Sequence, residues 1–122
     1  MIKFTINLPP VTKKNHSRII IAGGRPRVIP SEQFVQYESD CMPFMPNISP
    51  IDYPVNVKAI YYMPTRRKVD ILNLHAALHD VLVTYKVVVD DNSSIIASTD
   101  GSRVRYDKDN PRTEVEITEV GD

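Results

Sequence analysis

Ile71, Leu74, Leu78, Val81, Leu82 and Tyr85 recur at three- and four-residue steps, so the chain from about Asp70 to Tyr85 is predicted to be a helix with one apolar stripe. Such a stripe must be buried against another element. The sequence offers that element on both sides. In "PVNVKAIYYM" Val55, Val57, Ala59 and Tyr61 alternate onto one face of a strand, and "TEVEITEV" alternates in the same way near the C-terminus. A helix laid on a sheet is therefore the minimum architecture.

The remaining segments extend it. "IKFTINL" predicts a strand from Ile2 to Leu8, stopped by Pro9 and Pro10. "RIII" and "RPRVI" flank Ala22-Gly23-Gly24, the pattern of a β-hairpin. Ser31 is placed to cap a second helix over "EQFVQYESDCM", in which Phe34, Val35, Glu38 and Cys41 have helical spacing. Pro43, Pro46 and Pro50 mark "PFMPNISP" as a surface connection. "KVVV" reads as a short strand or turn, "SIIAS" as another strand, and "TDGSRVRYDKDNPR" as a polar hairpin with an Asp-Gly turn. The expected fold is α+β: a small mixed β-sheet with two helices packed on one face, in a single domain spanning residues 1–122.

Composition narrows the function classes. The one cysteine, Cys41, excludes an internal disulfide and fits a reducing cytosol. No apolar run approaches the roughly 18 residues of a membrane span, and "MIKFTINLPP" lacks the pattern of a signal peptide, so a cytoplasmic location away from membranes is expected. Formal charge is zero, which argues against a generic nucleic-acid coat, but it is unevenly spread. Residues 1–68 hold ten Lys/Arg and four Asp/Glu, a net of +6, and residues 69–122 hold five and eleven, a net of −6. That division suits a protein that grips phosphates with one part and cations with another; two halves of one globule can also drift apart in charge without any such role.

The stretch that bears on chemistry is "VDILNLHAALHDVLVTYKVVVDDNSS". Asp70 opens the long helix, where a carboxylate serves as an N-cap. Asp90 and Asp91 follow "VVV", where an acidic pair makes a solvated turn. Together the three could instead hold a hard divalent cation. A helix of about 15 residues is about 22 Å long, so the chain would have to run back along it before those acids met. His75 and His79, four residues apart with no third ligand nearby in sequence, read as surface or interface histidines. No HExxH, P-loop or CxxC pattern is present.

These residues resemble the core of the RusA family of Holliday-junction resolvases. That family has a basic run, then Asp-x-Asp-Asn-Leu opening a helix, a Lys one turn later, and Asp-Asp in a loop. The matching positions are Arg66, Arg67 and Lys68, then Asp70, Asn73, Leu74, Leu82, Asp90 and Asp91. "LPPVTKKNHSRI", "PSEQFVQYE" and "TEVEIT" are also similar, so the resemblance covers most of the chain. It implies a homodimeric, Mg²⁺-dependent endonuclease, with Mn²⁺ as a substitute, that cuts symmetric strands of branched DNA at a four-way junction. Genes of this family are often carried by prophages. Asp70, Asp91 and Asp90 would be the catalytic and metal-binding residues. Lys13, Lys14, Arg25, Arg27, Arg66, Arg67 and Lys68 would contact the DNA backbone without reading sequence.

Two positions depart from the family pattern. Leu72 stands where the second acid belongs and Ala76 where the Lys belongs. With Val83 they fall on the face opposite the core stripe, where an apolar strip suits a partner subunit or a C-terminal segment. Asp100 and Asp107 are the candidate replacement carboxylates; the same stretch also reads as a hairpin with exposed ion pairs, each worth little. Three functions are compatible, in this order: a junction endonuclease, a catalytically impaired dimer that binds branched DNA without cutting, and a small interaction protein with no nucleic-acid role.

Overall fold

The computed structural model describes residues 1–13, 18–29 and 31–121, with Arg18 described for its backbone alone. Five strands form one mixed sheet: β1 (Ile2–Ile6), β4 (Val55–Met63), β5 (Ile96–Ser98), β6 (Arg103–Tyr106) and β7 (Arg112–Glu119). β4 is its spine. β7 pairs antiparallel with one edge of β4 and with β1 beyond, while β5 and then β6 pair parallel along the other edge. β2 (Arg18–Ala22) and β3 (Arg25–Ile29) form a separate hairpin, turned by Gly23 and Gly24 at positive φ.

The alternation in β4 and β7 decides which face is covered. Val55, Val57, Ala59 and Tyr61 are buried, and so are Ile117, Val115 and Thr113, the register partners of the last three. Helix α2 (Ile71–Thr84) lays Leu74, Leu78, Val81 and Leu82 on this face. Helix α1 (Glu32–Asp40) adds Tyr37 to the same core, with Cys41 at its C-cap, and Ser31 caps α1 through its Oγ, which accepts from Phe34 N at 3.1 Å. The opposite face carries Lys58, Ile60, Tyr62, Glu114 and Glu116 and is only half-covered.

Several expectations change. β1 ends at Ile6, two residues short of Leu8. On α1 the buried positions are Phe34 and Tyr37, while Val35 is exposed, because the helix meets the core along the 34–37–41 line. "PFMPNISP" is more than a surface connection: it opens with a 3₁₀ turn (Met42–Phe44), and Phe44, Met45 and Ile48 pack against the core. "KVVV" is a turn with one parallel bridge, Ile51 to Val88. "TDGSRVRYDKDNPR" is not a hairpin, because β6 and β7 lie on opposite edges of β4 and their connection crosses the end of that strand.

The exit from α2 aims the segment after it. Lys86 takes φ 58°, its N–H donates to Val83 O, and Val87 N–H donates to Leu82 O, which together close a Schellman motif with a non-glycine residue in the left-handed position. The turn drives Val87 and Val88 into the core and leaves Val89 and Asp90 outside it. No helix is long and apolar enough to cross a membrane among the described residues.

Candidate active site and nucleic-acid interface

Asp70 sits where the chain turns from the C-terminal end of β4 into α2. Its backbone is extended (φ −85°, ψ 117°), and its Oδ1 accepts from Leu72 N at 2.9 Å. The capping role is thus real, and it occupies one oxygen. The carboxylate lines a groove of about 390 Å³ shared with Arg67 and Lys68. A phosphate entering there would meet two cations beside an acid.

Asp90 and Asp91 lie elsewhere. Val88, two residues earlier, is bridged to Ile51 ahead of β4, beyond the C-terminal end of α2. The fourteen residues of α2 therefore separate them from Asp70 by about 21 Å. Asp90 organises its own turn: Oδ1 accepts from Asp91 N at 2.7 Å and Oδ2 from Asn92 Nδ2 at 3.1 Å. The Asp91 backbone N–H, followed by the Asn92 amide, holds the Asp90 carboxyl below the usual carboxylate range. Asp91 is exposed beside it.

The chain does run back along the helix, through β5 and β6, but only after these acids. It delivers Asp107, whose N–H donates to Met63 O at 2.9 Å, to the end of β4 where Asp70 stands. Asp107 is already committed. Its Oδ2 pairs with Arg112 Nη1 at 2.9 Å, and its Oδ1 accepts from Asp109 N and Asn110 N at 3.2 and 3.1 Å. Arg112, the main cause, depresses its pKa. Asp100 is fixed by its backbone, which donates to Asn56 Oδ1 at 2.7 Å and accepts from Asn56 Nδ2 at 3.1 Å. Among the described residues, no group of three His, Cys, Asp or Glu side chains is placed to hold a metal ion. The described residues of one chain thus do not by themselves supply a set of three ligands for the divalent cation that the motif implies.

The basic residues separate into free and committed. Lys13 forms an ion pair with Asp80 and lies 6.0 Å from the Phe34 ring centroid, so it ties its segment to α2 and α1. Lys14 lies outside the described residues. Arg25 and Arg27 are exposed on β3. Arg67 and Lys68 are exposed beside Asp70, and Arg66 stacks on the Tyr106 ring at 4.2 Å.

The two histidines belong to the core side of α2, which corrects the surface expectation for them. His75 is buried, with Nδ1 2.6 Å from Tyr61 Oη, and His79 stacks on it with centroids 5.6 Å apart. Burial, and then the neighbouring His75, push His79 down to about 4, and its Nε2 has no hydrogen-bond partner. The i, i+4 spacing alone could not distinguish this stack from a surface pair; Tyr61 on the underlying strand decides it.

Outward from the core, α2 presents Leu72, 70% exposed, with Ala76 exposed and Val83 partly so. The apolar strip expected on the far side of the helix is therefore uncovered at Leu72 and Ala76, whereas Val83 packs against the core.

Residues 7–118 match the endodeoxyribonuclease RusA family. The chain belongs to that family. Family membership makes the RusA fold, the mixed sheet with its two helices, the frame in which the acids must be read. RusA proteins are nucleases that act on Holliday junctions and are generally dependent on divalent metal. A comparison with curated proteins finds no match.

Proposed function

We propose that this protein is a divalent-metal-dependent endonuclease that resolves four-way DNA junctions as a homodimer, with each active site shared between two copies. The observation that supports this most directly is the position of the exposed apolar strip. Leu72 and Ala76 are exposed on α2 between Asp70 at one end and Asp90-Asp91 beyond the other. Apolar surface of this kind favours a covered state. An isologous contact about a two-fold axis normal to α2 would set two copies of the helix antiparallel. The N-terminus of each helix would then face the C-terminus of the other. Asp70 of one copy would meet Asp91 of the partner subunit, and the separation within one chain would become proximity between two.

Carboxylate oxygens are the donors that Mg²⁺ or Mn²⁺ takes, so the shared pair suits the implied cation. When bound, such an ion polarises the scissile phosphate and lowers the pKa of a water. The chain's own residues do the positioning. The N-cap bond to Leu72 N fixes the Asp70 carboxylate, and Asp90 shapes the turn that presents Asp91. Arg67 and Lys68 flank Asp70, and Arg25 and Arg27 extend the cationic surface along the hairpin, contacting backbone phosphates without reading bases. Lys13, held by Asp80, supports α2 instead. Two sites related by a two-fold axis match the two-fold symmetry of a four-way junction. Acting on DNA, the protein would work in the cytoplasm.

A second reading rests on Leu72 and Ala76. Both are exposed on the outer side of α2, at the positions where the family pattern has an acid and a Lys. Without those groups the dimer would bind branched DNA and leave it uncut. A labelled synthetic four-way junction incubated with the protein in Mg²⁺ or Mn²⁺ separates the two. Linear duplex and the Asp70→Asn variant are the controls. Paired symmetric nicks that disappear in the variant are expected; junction-selective, salt-sensitive binding without nicks would favour the second reading.

A further inference from the structure

The face of the sheet turned away from α2 is divided by charge. On its β1–β7 side every cation has an acid: Lys3 and Lys58 approach Glu116 at 3.6 and 3.4 Å, and Arg112 binds Glu114 and Asp107, both at 2.9 Å. On its β4–β6 side a groove of about 720 Å³ is lined by Lys58, Arg66, Arg103 and Arg105, with no carboxylate in its wall. Among the described residues, Arg66, Arg103 and Arg105 form no ion pair. In a chain of zero net charge, three unpaired arginines around one groove, beside a Lys58 already shared with Glu116, are a local concentration that the composition does not require.

The groove is built rather than merely exposed. Arg103 and Arg105 are in register with Ile60 and Tyr62 of β4, which form the floor, so both side chains rise on the same side. Gly101, at φ 87°, brings its backbone so near Lys58 that an added Cβ would lie 3.1 Å from Lys58 Cδ, which lays that stem along the turn. Arg66 stacks on Tyr106 at 4.2 Å. Stacking uses the face of a guanidinium and leaves its in-plane donors for a bidentate acceptor. A charge on an edge strand protects that edge from pairing. Edge protection does not account for the convergence of Arg66 and Lys58, which are not on β6, with Arg103 and Arg105.

The groove adjoins the site around Asp70 along the chain. Arg66 lines it, while Arg67 and Lys68, the next two residues, line the groove at Asp70. One basic turn is the ridge between the two.

We propose that the β4–β6 face of the sheet is a second contact for the phosphodiester backbone, holding a DNA arm that crosses the Arg66–Lys68 ridge from Asp70, with Arg66, Arg103 and Arg105 as its phosphate forks. That the polyanion is DNA rests on the proposed function; the groove's preference for phosphates rests on its own charges.

The test compares the wild type with Arg103→Gln/Arg105→Gln and, separately, Arg66→Gln, all at exposed positions. Binding of a fluorescent four-way junction and of linear duplex is measured in EDTA, to exclude cleavage, across a salt series, and melting curves check folding. The slope of log K against log salt is expected to fall by about 1.8 in the double variant and about 0.9 in the single one, from about 0.9 per phosphate contact on duplex DNA. Unchanged slopes in folded variants, with a wild type that binds, would overturn the groove and leave the junction reading intact. A wild type with no salt-dependent binding would overturn both.

Discussion

A site shared between two copies makes a prediction that a site within one chain does not. Asp70→Asn keeps the cap, because Asn serves at a helix N-terminus as well as Asp does. Asp91→Asn changes an exposed loop residue. Each variant alone should fold, dimerise and lose cleavage. A dimer containing one copy of each behaves differently when the acids meet across the two-fold axis. One of its sites receives both substitutions, and the other keeps the natural Asp70 with the partner's Asp91. Random pairing makes about half of the dimers mixed, each with one live site of two, so about one quarter of wild-type nicking should return. The product also changes. A single live site nicks one strand, so the mixed sample should accumulate nicked junctions in place of resolved duplexes. Co-expression with two different tags, followed by isolation of the doubly tagged dimer, raises the live fraction to about one half and removes the dependence on exchange. If each site instead lay within one chain, both halves of the mixed dimer would be dead. No restored nicking in the doubly tagged dimer, from a wild type that cuts, would therefore refute the shared-site geometry.

Other outcomes are expected from the same structure. Leu72→Lys places a charge on the uncovered strip; monomer stability should move by no more than about 0.5 kcal/mol, as for other exposed positions, while dimer dissociation by analytical ultracentrifugation should rise at least about tenfold. His79, held neutral with a folded value of about 4 against 6.5, lets the unfolded chain bind more protons between those two values. Stability should thus be complete above about pH 6.5 and fall as the pH drops toward 4, by on the order of 3 kcal/mol at 1.36 kcal/mol for each tenfold step in proton concentration; His79→Gln should flatten that limb of the urea-denaturation profile. Lys86→Gly relieves a left-handed residue at φ 58° and should raise the melting midpoint, with a gain of about 0.5–1 kcal/mol after the added freedom of the unfolded chain is subtracted.

The elements legible in the sequence are those whose pattern is local. The stripe of α2, the alternation of β4 and β7 and the Ser31 cap each repeat within one segment, and the structure has them where they are expected. β6 escapes a linear reading because "RVRY" is four residues among turn formers, and its strand character comes from parallel pairing with β4 across some forty residues of chain. The histidines are misplaced for the same reason, since Tyr61 on the strand below is what makes His75 a core residue. The acids show the limit most clearly. Their spacing in sequence carries the family resemblance, yet α2 holds them apart in one chain, and no periodicity would report the contact between two copies proposed above. The basic groove is likewise invisible along the sequence, because Lys58, Arg66, Arg103 and Arg105 come from three separate segments.

The length of α2 acquires a meaning beyond packing. In an antiparallel pair the same fourteen residues that separate Asp70 from Asp91 within a copy set the distance between the two shared sites. In the proposed dimer the helix would be a ruler, of about 21 Å, for the two phosphates cut together. Four residues inserted between Leu78 and His79 would lengthen it by about 6 Å while nearly restoring the outward face, since 3.6 residues make a turn. Selection for a junction over a duplex would then reside in a backbone dimension, and a dimer with the longer helix would choose a different pair of phosphates with every catalytic side chain unchanged.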